Sequence, residues 1–225
     1  MTEAESNPLL PNTNWPLCQP QVIGKADVSW TGPTVIVACT TERAEQLLTN
    51  GDLRCPRCRG GRLSAWGYGR RRTVRDRAGA TITVQPRRTR CQSCLSTHIV
   101  IPAALQPRHA DTTAVIGTAL LHKAKGLGYR RIAVAIDRPV STVRRWLRRL
   151  PPEHLERMYH DGTKHLLALD PDTFTALRYR GNMLHHTLSI LSAAAYWDRH
   201  RYAVEHPPWT LIGMYTRGRL LAPPG

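Results

Sequence analysis

The chain has 225 residues, enough for one large or two small domains, with a formal net charge of +16 and a sequence pI of about 10.5. Its longest largely apolar stretch, Leu188 to Trp197, is too short to span a bilayer. The amino terminus, Met1 to Pro8, lacks the basic and apolar regions of a signal peptide, so the expectation is a cytoplasmic, nucleoid-associated protein with reduced thiols and no membrane partner.

The charge is concentrated. Residues 55–150 carry 21 Lys and Arg against three acids, Asp76, Asp111 and Asp137, while the rest of the chain is nearly neutral. A block of one sign attracts polyanions, and nucleic acid is the commonest.

Residues 1–33 contain Pro8, Pro11, Pro16, Pro20 and Pro33 among polar residues and show no sustained period, which predicts a flexible leader. Residues 34–54 read as a strand–helix lead-in. Val35 to Cys39 is a short buried strand, and Glu42 to Leu48 is a helix capped by Thr40 or Thr41. The unit is expected to pack on the segment that follows, which has little core of its own.

Residues 55–104 are organised around Cys55-Pro56-Arg57-Cys58 and Cys91-Gln92-Ser93-Cys94. Each C-x-x-C turns two thiolates toward one point, and two such turns supply the four soft ligands of a tetrahedral Zn²⁺. One structural Zn²⁺ per chain is expected. Gly60 and Gly61 follow the first pair, where a knuckle turn often needs positive φ, whereas Leu95 takes the glycine position after the second. Arg70 to Arg75 and Ala80 to Gln85 read as a hairpin turning at Asp76-Arg77-Ala78-Gly79, which favours a zinc ribbon. His98 is expected at the surface or on a phosphate. Trp66 and Tyr68 are expected in the ribbon's core, with stacking on RNA bases as the alternative. Ile99 to Pro102 is a last strand ended by proline.

Residues 108–151 read as three helices. Asp111 or Thr112 caps the first, and Gly126 and Gly128 end it. Tyr129, Ile132, Ala133 and Ile136 mark one face of the second, and Val143, Trp146, Leu147 and Leu150 one face of the third, which Ser141 caps. Asp137, where glycine is frequent, tolerates the left-handed turn between them. This is a helix-turn-helix pattern. Ser141, Arg145 and Arg148 lie opposite the apolar stripe, flanked by Thr142, Arg144 and Arg149. Arginine forks on such a face match guanine edges and phosphate, so the expected partner is double-stranded DNA, with room for a homodimer. Arg70, Arg71, Arg72, Arg87 and Arg88, read as lying on the ribbon hairpin, are expected to track phosphates.

In residues 152–225 the expectation is a small mixed region. Glu153 to His160 and Leu184 to His200 read as helices, and His165 to Leu169 and Trp209 to Tyr215 as strands. A nuclease would need clustered carboxylates for two metals, for which Asp170, Asp172, Asp198 and Glu205 are the candidates. Few residues follow Asp170, and Asp170-Pro171-Asp172 reads more simply as a turn, so no catalytic residue is assigned. The fold class expected for the whole is α+β.

Cys55-x-x-Cys58, Trp66-Gly67, Arg70-Arg71-Arg72, Asp76, Pro86-Arg87-Arg88-x-Arg90-Cys91-x-x-Cys94 and Thr97-His98 resemble the amino-terminal zinc-binding region of bacterial insertion-sequence transposases. A ribbon followed by a helix-turn-helix also resembles an uncharacterised bacterial family, a domain of unknown function, that has this architecture without a transposase core. The resemblance covers residues 34–150 and, more loosely, the tail. It implies Cys55, Cys58, Cys91 and Cys94 as structural ligands, residues 141–150 as the DNA reader, and no activity. The expected function is sequence-specific DNA binding, as a transcriptional regulator or a transposase-derived module. The alternatives are a short or degenerate transposase or nuclease, or an RNA-binding zinc-ribbon protein.

Overall fold

Val35, Ile36 and Val37 favour an extended backbone, and so do Ile99, Val100 and Ile101; the two runs lie side by side. A computed structural model describes residues 21–23 and 34–223. β1 (Gln21–Ile23) pairs antiparallel with β2 (Thr34–Ala38), and β2 pairs in parallel with β7 (Thr97–Pro102). β7 pairs antiparallel with β6 (Arg87–Cys91), and β6 with the edge strand β3 (Leu63–Tyr68), giving the order β1-β2-β7-β6-β3. Of the leader expected over residues 1–33, only Gln21–Ile23 is described, and it is a strand; the rest lies outside the described residues.

α1 (Thr41–Thr49) is capped by Thr40, whose hydroxyl accepts from the Arg43 amide at 3.2 Å. It lays Ala44 and Leu47 on the sheet, where they join Ile36, Ala38, Leu53, Leu63 and Val100 beside Cys55 and Cys91. The lead-in therefore supplies the hydrophobic support that the cysteine segment lacks.

The predicted hairpin exists, as β4 (Arg72–Arg75) and β5 (Thr81–Val84) around a tight turn in which Ala78 has φ 51° and Gly79 φ 73°. It does not frame the cysteines. It forms its own two-stranded sheet, and β3 and β6 frame them instead. Val74 and Val84 bury themselves against Leu105, which draws the hairpin away from the ribbon and toward the helices. Arg87 and Arg88 consequently stand on β6 and not on the hairpin.

Thr112 caps α2 (Thr113–Ala124), accepting from the Val115 amide at 3.3 Å, and Gly126, at φ 89°, follows its end. α3 (Tyr129–Ala135) and α4 (Val140–Leu147) are joined by a turn in which Asp137 takes φ 51°. Pro139, not Ser141, is the N-cap of α4, because its fixed φ of −54° suits the entry and it has no amide hydrogen to leave unpaired. Ser141 lies inside the first turn.

The tail is helical where strands were expected. α5 (Pro152–Leu169) runs through His165 to Leu169, because its buried positions His154, Met158, Gly162 and Leu166 recur every four residues. α6 (Pro171–Ala176) starts at Pro171, so Asp170-Pro171-Asp172 is a helix start and not a plain turn. α7 (Met183–Tyr202) matches the predicted helix. α8 (Pro208–Tyr215) replaces the last predicted strand. Thr210 through Tyr215 are all buried, so no polar face marks a period, and a short apolar run of this kind reads equally as strand or helix. α8 sits so close to α2 that a Cβ on Gly117 would stand 2.3 Å from the Trp209 ring.

One hydrophobic cluster runs from Val37 and Ile101 through Leu120, Ile132, Trp146, Leu166, Leu188 and Tyr215, so the helices of residues 108–151 and of the tail share a core. The chain is mixed α+β. Among the described residues no helix is long and apolar enough to cross a membrane.

Candidate metal centre and basic face

The two cysteine turns have the same local geometry. The Arg59 amide donates to the Cys55 carbonyl at 2.8 Å, and the Leu95 amide donates to the Cys91 carbonyl at 3.1 Å. The residue after each pair takes the left-handed conformation, Arg59 at φ 61° and Leu95 at φ 58°. Positive φ therefore falls on these two residues and not on Gly60 or Gly61. Gly61 is needed for space. A Cβ there would lie 2.4 Å from the Cys91 Sγ and 3.0 Å from the Cys58 Sγ.

These turns bring Cys55, Cys58, Cys91 and Cys94 together with all four Sγ atoms within 4.8 Å of one another. Cys55 and Cys94 stand 3.6 Å apart, as do Cys58 and Cys91. A tetrahedron of metal–sulfur bonds of about 2.3 Å has edges of about 3.8 Å, close to the two 3.6 Å separations. The group is positioned to bind a metal ion. Hydrogen bonds from Ser96 hold the Cys94 thiol down at about 6, whereas burial pushes Cys55 up to about 12.

His98 is buried, not at the surface as expected. Its Nε2 lies 3.4 Å from the Cys55 Sγ, within reach of a hydrogen bond that orients that thiol. β7 lies inside the sheet and turns the ring inward. Trp66 and Tyr68 also depart from expectation. They are 48% and 52% exposed, because β3 is an edge strand. The Arg90 guanidinium lies 4.5 Å from the Trp66 ring centroid, and that of Arg87 4.2 Å from Tyr68. Arg87 is also held by Glu45 at 3.1 Å.

A polar junction fastens the β4–β5 hairpin to the start of α2 and to the α3–α4 turn. The Arg75 amide donates to the Ala110 carbonyl at 2.8 Å, and the Thr112 amide to the Arg75 carbonyl at 3.0 Å. Asp111 accepts from Arg75 at 2.8 Å and from Arg138 at 2.6 Å, and Arg138 also donates to the Asp76 carbonyl at 2.7 Å. Sequence patterns gave no sign of this junction, since its partners are distant along the chain.

α4 buries Val143 and Trp146 and exposes Ser141, Arg144, Arg145 and Arg148, while Thr142 is half-buried. A groove along it is lined by Tyr129, Arg130, Val140, Arg144, Arg145 and Arg148. Arg149 is engaged differently. Its Nη1 meets His109 Nε2 at 3.0 Å, and its Nε donates to the Ala222 carbonyl. Arg70, Arg71 and Arg88 are exposed, and Arg72 is half-buried.

The tail carboxylates are dispersed. Asp170 accepts from Thr173 at 2.5 Å, buried Asp198 accepts from the Tyr215 hydroxyl, and Asp172 and Glu205 are exposed.

Residues 55–146 match the model of a family described as "Domain of unknown function (DUF6431)". The matched stretch begins at the first cysteine of the metal centre and ends at Trp146 in α4. No curated protein and no solved structure matches the chain.

Proposed function

We propose that this protein binds double-stranded DNA sequence-specifically, as a regulator or a transposase-derived module, with a structural Zn²⁺ in its ribbon and α3–α4 as a helix-turn-helix. The observation that carries the reading is α4. Ser141, Arg144, Arg145 and Arg148 face solvent on the side opposite buried Val143 and Trp146, with no acid among the ten residues from Ser141 to Leu150. A helix of this kind fits the major groove, where an arginine fork pairs with guanine O6 and N7. Four thiolates complete a tetrahedral shell and leave no position for a catalytic water, which supports a structural Zn²⁺. The protein then works in the cytoplasm at the nucleoid and is not an enzyme. The test is unbiased selection of duplexes by the purified protein. Enrichment of one motif supports the reading, and a pool that stays random contradicts it.

A second reading follows from the exposed Trp66 and Tyr68 beside arginines, which suit stacking on unpaired RNA bases. Competition between a selected duplex and single-stranded RNA of equal length separates the two.

A further inference from the structure

We infer that the junction between β4 and the end of α4 is a phosphate-binding site, built by Arg72 and Arg149 around His109. These residues come from three places in the chain: Arg72 begins β4, His109 precedes α2, and Arg149 lies just beyond α4. The bond between Arg149 and His109 at 3.0 Å fixes one wall. The hairpin, bridged in parallel at Arg75 to Asp111, runs beside the segment that holds His109 and brings Arg72 to the other, close enough for its charge to act on the His109 ring.

The charge at this junction is not balanced by the protein. The acid that acts on His109 is Asp111, and its two oxygens already serve Arg75 and Arg138. The Arg72 Nε is shielded from water and has no hydrogen-bond acceptor among the described residues. Converging guanidiniums repel one another, and a buried N–H without an acceptor costs free energy. A phosphate relieves both, since its oxygens accept from several forks at once. His109 suits the role of a spacer. Burial and the Arg149 charge hold it down at about 4, so the ring is neutral near pH 7 and accepts from Arg149 without adding charge. The phosphate comes either from free solution or from a nucleic-acid backbone. The second source rests on the DNA reading above, in which the group lies beside the bases read by Arg145.

Two measurements on the full chain test this. In the first, the arginine Nε–H and histidine ring resonances are followed by NMR while inorganic phosphate is added at constant ionic strength. Saturable shifts at Arg72, Arg149 and His109 are expected. Arg72→Lys, which keeps the charge but loses the Nε donor, should weaken them about ten-fold or more, and Arg180→Ala, at an exposed arginine between α6 and α7, should leave them unchanged. No saturable shift, or equal loss in Arg180→Ala, overturns the site whatever the fate of the DNA reading. In the second, single methylphosphonate linkages are scanned through a selected duplex. One linkage that weakens wild-type binding but not that of Arg72→Lys supports the backbone as the source. Phosphate binding with no such linkage supports the site and assigns it to free phosphate. If no duplex is selected, the DNA reading fails and the phosphate titration alone decides the site.

Discussion

Arg138 donates from Nε to Asp111 Oδ1 at 2.6 Å, and both side chains are almost fully buried, at 5% and 3% exposed. The same Arg138 donates to the carbonyls of Asp76 and Asp137, at 2.7 Å each, so one guanidinium ties the hairpin to the α3–α4 turn. Removing one member of a buried pair strands the other, at a cost of about 3–5 kcal/mol. Asp111→Ala should therefore destabilise the fold by that amount. Arg75, whose side chain is 43% exposed, is screened by water, and Arg75→Ala should cost about 1 kcal/mol or less. Urea denaturation of the two variants checks the ranking, and equal losses contradict it.

A second expectation concerns acid. Burial, helped by the Arg217 charge, pushes His165 down to about 4 from an ordinary value of 6.5, and burial does the same to His154. Between those values the unfolded chain binds more protons than the folded one. Stability is thus complete above about pH 6.5 and is lost as pH falls toward 4, by up to about 1.4 kcal/mol per unit for each histidine. His165→Phe, which can keep the ring contact with Tyr215 at 4.6 Å, should shallow this slope. Denaturation at pH 7 and pH 5 compares the two proteins, and an unchanged slope shows that His165 is not a source.

The metal centre gives a third. Metal analysis should find one zinc per chain. Binding at such sites is worth on the order of 10–16 kcal/mol and is coupled to folding, so Cys91→Ser or a strong chelator should unfold the ribbon. His98→Phe removes the group beside Cys55 Sγ and should lower metal affinity about ten-fold or more. Protein without zinc, or a ribbon that stays folded in chelator, would falsify the assignment.

What was legible in the sequence was local. Cysteine spacing, the cap at Thr112, the left-handed Asp137 and the Val143–Trp146 stripe each depend on neighbours a few residues apart, and each is where it was expected. What was not legible depends on distant partners. The hairpin's turn could be read, but its berth is set by Asp111, 36 residues from Arg75. Trp66 and Tyr68 look like core residues until β3 proves to be an edge. α8 reads as a strand in the sequence because its neighbours bury it on every side, erasing the period that a half-exposed helix would show.

A fourth expectation concerns the tail. Asp170 bonds Thr173 at the start of α6, a local structural role. Asp170→Ala should leave DNA binding intact and, through the lost hydrogen bond from Thr173, cost about 1 kcal/mol in stability. Metal-dependent strand cleavage that disappears in this variant would overturn the non-enzymatic reading.

The central claim is that α4 reads bases, and Arg145 tests it most directly. Wild-type protein, Arg145→Ala and the double variant Arg70→Ala with Arg71→Ala are titrated against the selected duplex and a scrambled one at several salt concentrations. Arg145→Ala should cost about 1–3 kcal/mol on the selected duplex and much less on the scrambled one. The double variant should weaken both duplexes alike and flatten the salt dependence by roughly one to two units of slope. Equal weakening of both duplexes by Arg145→Ala would contradict the claim, and loss of sequence preference in the double variant alone would move the reading of bases from α4 to the arginines before β4.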